Sequence, residues 1–205
     1  MQKQPAEHYY TRKPKAQAKY ALIRVWLRGR EFEFLTTASV FSAKRVDAGT
    51  RLLIENMQLP EEGKVLDLGC GYGAVGTAAA AFNPKVHVTM TDVNKRAVKL
   101  ATLNARRNRT ANVTVKYGPL YAPVAGELFN CILTNPPISA GMKTVKAVIT
   151  QAPQHMTQHA TLQMVTPSKI GAEILPETLR QTFGNMEILA RESGYRILKA
   201  QKQHS

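Results

Sequence analysis

The run Val65-Leu66-Asp67-Leu68-Gly69-Cys70-Gly71-Tyr72-Gly73 constrains the fold of this chain more than any other segment. An apolar strand ends in clustered glycines, and an Ala-rich helix, Ala74 to Phe82, follows until Asn83 and Pro84 stop it. A strand that hands a glycine turn to a helix N-terminus is the opening unit of a doubly wound parallel sheet, where ligands bind outside the carboxyl ends of the strands. Glycine is required at such a turn because the backbone enters conformations closed to residues with a Cβ and the ligand approaches the main chain. Bulk at Gly71 or Gly73 is therefore expected to block the pocket.

The rest of the chain keeps the alternation of strand and helix that a parallel sheet covered on both faces demands. Val86 to Thr91 reads as a second strand with Asp92 at its end, and Asn94 can cap a helix through about Arg107 whose exposed face is basic. Strands are expected at Val113 to Tyr117, Phe129 to Thr134 and Thr161 to Val165, with a helix from Lys143 to His155 perturbed by Pro153. A helix from Ile174 to Phe183 precedes a closing hairpin, Met186 to Arg191 and Tyr195 to Lys199, turned at Ser193 and Gly194. The expected fold is α/β: a Rossmann-like, doubly wound, mostly parallel seven-stranded sheet with an antiparallel C-terminal hairpin. Upstream, Leu22 to Leu27 and Glu31 to Thr36 read as a β-hairpin around Arg28-Gly29-Arg30, although Tyr20, Ile23 and Leu27 also lie at helical spacing. We divide the chain into a basic arm and hairpin, residues 1–37, and a main domain, residues 38–205.

Charge points to the partner. Lys and Arg number 28 against 14 Asp and Glu, a formal net charge of +14, which concentrates polyanions around the chain at moderate salt. The arm contributes Arg12, Lys13 and Lys15, and the hairpin Arg24, Arg28 and Arg30, as candidate RNA-binding residues. Two cysteines, Cys70 and Cys131, are too few for a disulfide framework or a zinc cluster and are expected to be reduced; no metal is expected. No apolar run long enough to cross a bilayer occurs, so a cytoplasmic monomer without a membrane partner is expected.

Gly71, Gly73 and Gly76 spell G-x-G-x-x-G, and Asp92 lies about twenty residues on, where an acid grips a ribose diol. That much fits NAD. Asp67 argues otherwise: a carboxylate at the strand's end repels a pyrophosphate, whereas it tolerates or attracts the ammonium and sulfonium of S-adenosylmethionine. A second motif, Thr134-Asn135-Pro136-Pro137-Ile138, ends the fourth strand of the main domain at the same sheet edge. A delocalised amine is a poor nucleophile until its hydrogens are held by fixed acceptors. The Asn135 side-chain carbonyl and the Pro136 main-chain carbonyl, in a turn stiffened by consecutive prolines, can supply such a pair. Asn135, Pro136, Pro137 and Ile138 are the candidate catalytic residues.

The glycine run resembles motif I of class I methyltransferases, and the second motif resembles the N-P-P-[aromatic] turn of enzymes that methylate adenine N6, guanine N2 or glutamine N5. Ser39-Val40-Phe41-Ser42, Asp47-Ala48-Gly49-Thr50-Arg51-Leu52-Leu53, Ala140-Gly141-Met142 and Gly194-Tyr195-Arg196-Ile197-Leu198-Lys199 extend the likeness, from about His8 to Lys199. Together they resemble the small-domain methyltransferases related to the catalytic half of bacterial ribosomal RNA guanine-N2 methyltransferases and to their stand-alone archaeal-type relatives. The resemblance implies that Asp67, Gly69, Cys70, Gly71 and Gly73 surround the methionine part of the cofactor and that Asp92, with Val93, takes the ribose. It also implies that Phe41, Asp47, Gly49 and Thr50 help close the pocket. Two departures stand out. Ile138 replaces the usual aromatic residue, and Tyr117-Gly118-Pro119-Leu120 lacks the acid that often meets the cofactor's adenine amine.

The expected function is methylation of an exocyclic amine of a base in RNA, guanine N2 in ribosomal RNA first. Adenine-N6 or protein glutamine-N5 methylation uses the same Asn-Pro-Pro chemistry and stays open. A non-catalytic RNA-binding scaffold is the third reading.

Overall fold

The computed structural model describes residues 20–37 and 45–203. A hairpin opens it, β1 (Tyr20–Leu27) and β2 (Arg30–Thr37), then α1 (Ala48–Asn56), β3 (Gly63–Leu68), α2 (Ala74–Phe82), β4 (Val86–Asp92), α3 (Lys95–Arg107) and β5 (Val113–Tyr117). The second half runs β6 (Phe129–Thr134), α4 (Met142–Gln151), β7 (Met156–Pro167), α5 (Ile174–Phe183), β8 (Glu187–Glu192) and β9 (Tyr195–Gln201). Seven strands form one sheet in the order β5-β4-β3-β6-β7-β9-β8, parallel from β5 to β7, with β9 antiparallel to both neighbours. This is the architecture expected from the alternation of elements. Among the described residues, no helix is long and apolar enough to cross a membrane.

Side chains alternate across each strand, so neighbouring residues feed opposite faces of the sheet. Val65, Cys131 and Leu133 join one buried cluster with α1, α2 and α3, whereas Leu66, Leu68 and Ile132 join another with α4 and α5. Both faces are thus covered, and the carboxyl edge of the central strands is left for a ligand.

The structure corrects three expectations about individual elements. α1 was not foreseen as a helix; Asp47 caps it by accepting the Thr50 N–H at 3.0 Å. β7 starts five residues before the expected Thr161, because its polar opening stretch pairs with β6 across a register shift between Phe129 and Cys131. The helix expected to reach His155 is α only to Gln151 and continues as a 3-10 turn, Ala152–His155, which holds Pro153.

The hairpin belongs to the same apolar core as α1–α3 through Ile23, Leu27, Phe32 and Phe34. Its free edge is closed in an uncommon way. Asn104 on α3 and Asn108, the C-cap four residues later, face β2 as a neighbouring strand would. Asn104 accepts from Leu35 N and donates to Leu35 O, at 2.7 and 2.9 Å; Asn108 does the same for Glu33, at 3.0 and 2.8 Å. The match is metric: four helical residues rise about 6 Å and two strand residues about 6.8 Å. Two side-chain amides on one helical face therefore fit one edge of a strand.

Candidate active site

The glycine turn is built by hydrogen bonds that extend the β3–β4 pairing beyond the strands. Gly69 N and Cys70 N both donate to Thr91 O at 2.9 Å, and Gly71 N donates to Asp92 Oδ2 at 2.9 Å. Gly71 and Gly73 have φ of +57° and +86°, left-handed values that disfavour any residue with a Cβ. Their surroundings differ. A Cβ on Gly71 would meet no atom within 4 Å, whereas one on Gly73 would come within 2.9 Å of Ala101 Cα on α3. Gly73 does not line the cavity, which corrects the expectation that bulk there would block the pocket; it would push α3 away from the turn instead.

Asp67 and Asp92 sit beneath and beside this turn. Asp67 is buried and accepts the Gly76 N–H at 2.7 Å. Burial pushes its carboxyl up to about 7; the Gly76 N–H works against that shift and the Asp92 charge adds to it. Burial also raises Asp92, opposed by N–H donors from Asn94, Gly71 and Val93. One Asp92 oxygen accepts from Gly71 N and the other from Asn94 N at 2.7 Å, and with the Val93 N–H as a third donor the carboxylate keeps one lone pair for a hydroxyl.

The Asn-Pro-Pro turn lies one strand away. β3 and β6 are direct parallel neighbours, with Asp67 opposite Leu133, and the Thr134 hydroxyl donates to Leu68 O at 2.9 Å, tying the two strand ends together. Asn135 Nδ2 donates to Thr50 Oγ1 at 3.0 Å and lies 3.4 Å from Asp47 Oδ1, both from the first turn of α1. Ile138 begins a 3-10 turn, Ile138–Ala140, and packs against the α4–α5 cluster.

These elements surround one cavity of about 930 Å³. It brings together Asp47, Thr50, Asp67, Gly69, Cys70, Gly71, Asp92, Val93 and Asn135 through Ile138. Of the described cofactor candidates, Gly49 and Gly73 stand outside the lining. A Cβ on Gly49 would come within 2.9 Å of the Tyr195 ring, so this glycine lets α1 approach β9. Tyr195, Pro167 and Thr134 line the cavity but were not named as site residues from the sequence; Thr134, which opens the Asn-Pro-Pro motif, and Tyr195, inside the closing Gly-Tyr-Arg run, had a visible signal. The Gly118-Pro119-Leu120 wall is apolar on its side chains, as the missing acid implied.

Among the described residues, three aspartates line this cavity and no Lys, Arg or His does. A pyrophosphate would meet only negative side chains there, whereas a sulfonium and an ammonium are attracted. The residues therefore fit S-adenosylmethionine and not a dinucleotide. A cationic ligand favours ionised Asp67, so the free protein holds more protons than the loaded protein below the Asp67 pKa. Affinity for S-adenosylmethionine is expected to rise with pH up to about 7, by at most about tenfold per unit, and then to level. Calorimetry in buffers of different ionisation enthalpy should register protons released on binding. A flat profile in the wild type, or the same slope in Asp67→Asn, would remove Asp67 from the ligand's surroundings.

The candidate RNA-binding residues fall elsewhere. Arg12, Lys13, Lys15 and Phe41 lie outside the described residues. Arg24 pairs with Glu33 at 2.8 Å on the outer face of the hairpin. Arg28 donates to Met57 O, just past α1, and lies over the Phe82 ring; Arg30 donates to Ala81 O and Asn108 O, at the ends of α2 and α3. Both guanidinium groups thus cap helix C-termini, where a cation meets the negative end of the dipole. Those ends lie at the sheet edge opposite the cavity.

Residues 31–199 match the model of the methyltransferase small domain. The chain is 39% identical over 199 residues to the uncharacterized protein YbxB of Bacillus subtilis (strain 168), covering 96% of this chain and 99% of that one. It is 33% identical over 175 residues to ribosomal RNA small subunit methyltransferase C of Hamiltonella defensa, covering 83% of this chain and 51% of that protein, and so spans about half the length of that relative. The fold is shared with a solved T. thermophilus 16S rRNA N2 G1207 methyltransferase in complex with AdoMet and guanosine. The TM-score is 0.82 at 23% identity, over 93% of this chain and 52% of that one. The chain belongs to the methyltransferase small domain family.

Proposed function

We propose that this chain methylates an exocyclic amine of a base in RNA, guanine N2 in ribosomal RNA, with S-adenosylmethionine as donor. The observation that carries the reading is the orientation of the Asn135 amide. Its nitrogen is occupied by α1, and its oxygen, with no partner among the described residues, is left for a ligand in the acidic cavity.

When bound, S-adenosylmethionine supplies a methyl group on a positively charged sulfur. Asn135 Oδ1 and the Pro136 carbonyl accept the two hydrogens of the target amine, turning its lone pair away from the ring and toward the methyl. As the N–C bond formed and the S–C bond of the donor broke, the amine would become acidic, and a proton held by Asn135 Oδ1 or the Pro136 carbonyl would pass late to bulk solvent, so no strong base is required in the cavity. The apolar side chains of Ile138 and Leu120 exclude water from the base, and Ile138 offers an aliphatic contact where an aromatic ring is commoner. With no cation among the described residues of the lining, RNA phosphates are kept outside and one flipped or unpaired base enters. We assign the phosphate grip to Arg12, Lys13, Lys15 and the outward Arg24, in keeping with the net charge of +14.

The relative named as a ribosomal RNA methyltransferase and the neighbour solved with guanosine support RNA and guanine as substrate. The test is nucleoside mass spectrometry after incubating the full chain with labelled S-adenosylmethionine and ribosomal RNA or small subunits taken from cells lacking the protein. Labelled N2-methylguanosine is the expected product. Labelled N6-methyladenosine, label confined to ribosomal protein, or no label at all would each overturn the assignment.

A further inference from the structure

We infer that the first turn of α1 sets which end of the Asn135 side chain faces the cavity, with Thr50 and Asp47 as its positioning residues. The inference rests on the reading above, because it concerns the same acceptor oxygen.

A carboxamide has two ends of nearly equal shape and opposite hydrogen-bonding sense. An amine that brings two hydrogens is held only by the oxygen end; the nitrogen end would set donors against donors. Nothing in Asn135 itself chooses between the two. Thr50 Oγ1, at 3.0 Å from Nδ2, fixes the amide in place, but a hydroxyl accepts or donates equally well and is indifferent to a flip. Asp47 breaks the tie. Its Oδ1 already accepts the Thr50 N–H at 3.0 Å, an ionised carboxylate has no hydrogen to give, and it lies 3.4 Å from the amide nitrogen. A flipped Asn135 would turn its oxygen toward that carboxylate, an acceptor against an acceptor. The cap that starts α1 therefore also orients the amide, which links a helix N-terminus to a turn 85 residues further along the chain.

Gly49 completes the arrangement. It lies between the two positioning residues, and a Cβ there would meet the Tyr195 ring at 2.9 Å, so the first turn of α1 takes its place beneath β9 only with glycine at this position.

The test compares Thr50→Val, Thr50→Ser and Asp47→Asn in the full chain. Asparagine is as good an N-cap as aspartate, so Asp47→Asn keeps α1 while adding a donor that no longer opposes the flip. Thr50→Val and Asp47→Asn are each expected to lower kcat for RNA methylation about 10- to 100-fold, the usual effect of losing an orienting partner. Thr50→Ser should keep kcat within about threefold of wild type. Independently of any RNA, the Asn135 side-chain amide protons, identified by NMR from their loss in Asn135→Ala, should exchange with solvent about tenfold faster in Thr50→Val. Wild-type kcat in both variants, failure of Thr50→Ser to keep it, or unchanged amide exchange would overturn the inference. If the wild type modifies no RNA base, the proposed function fails while amide exchange still decides on the orientation.

Discussion

Asn135→Ala is expected to abolish most methyl transfer while leaving the cofactor bound. The side chain meets the reacting amine and not the donor, so the Kd for S-adenosylmethionine measured by calorimetry should stay within about threefold of wild type. At saturating RNA, kcat should fall about 10²- to 10³-fold, the scale seen when one preorganised polar contact to the reacting group is removed. Alanine also frees Thr50 and Asp47 from their amide partner, but Asp47 still caps α1 and the fold should hold. Activity within about threefold of wild type would end the Asn-Pro-Pro mechanism for this chain.

Asn104→Leu should give the largest loss of stability. Asn104 is 0% exposed and its amide makes three bonds to backbone: from Leu35 N, to Leu35 O and to Tyr72 O at 2.8 Å. Leucine shares the branched outline of asparagine but is larger and has no polar atom, so it leaves these buried and part-buried groups without partners, at about 1–3 kcal/mol each before relaxation, and a total cost of about 3–5 kcal/mol is expected. The measurement is urea denaturation followed by Trp26 fluorescence. Trp26, the single tryptophan, sits on the hairpin but is 64% exposed, so far-UV circular dichroism is recorded alongside its fluorescence. A loss below about 1 kcal/mol would mean that the apolar contacts of Phe32 and Phe34 hold the hairpin alone.

Much of the main domain was legible because its elements are punctuated by residues with one physical meaning. Asn83 and Pro84 end α2 where expected, Asn94 caps α3 by accepting the Arg96 N–H, and β5 and β6 keep their expected bounds. The hairpin was legible from the alternation of Glu31, Phe32, Glu33 and Phe34. Both rings are buried and stacked, while Glu33 turns out to Arg107 and Arg24, which hold its carboxyl below the usual range. Periodicity gave nothing for α1, a short helix that opens Ala-Gly-Thr and is held by the burial of Leu52, Leu53 and Ile54 in the core. Asn104 and Asn108 read as ordinary polar positions on a basic helix; that they are buried depends on a strand about seventy residues earlier. Arg28 and Arg30 read as phosphate ligands because sequence shows charge and not neighbours. At the site, residue type was enough to find the glycine turn, Asp92 and the Asn-Pro-Pro turn. It did not separate the glycines that border the cavity from Gly49 and Gly73, which serve packing.

The asparagine pair on α3 has a consequence for how the chain is made. Translation delivers residues in order, so β1 and β2 leave the ribosome well before the helix that completes their edge. A two-stranded ribbon is marginal in water by itself. At about 5–20 residues per second, the ribbon waits several seconds with its backbone edge open until Asn104 and Asn108 emerge. The hairpin edge therefore closes only once α3 has been synthesised, and the glycine turn, bound to Asn104 through Tyr72 O, is completed in the same event.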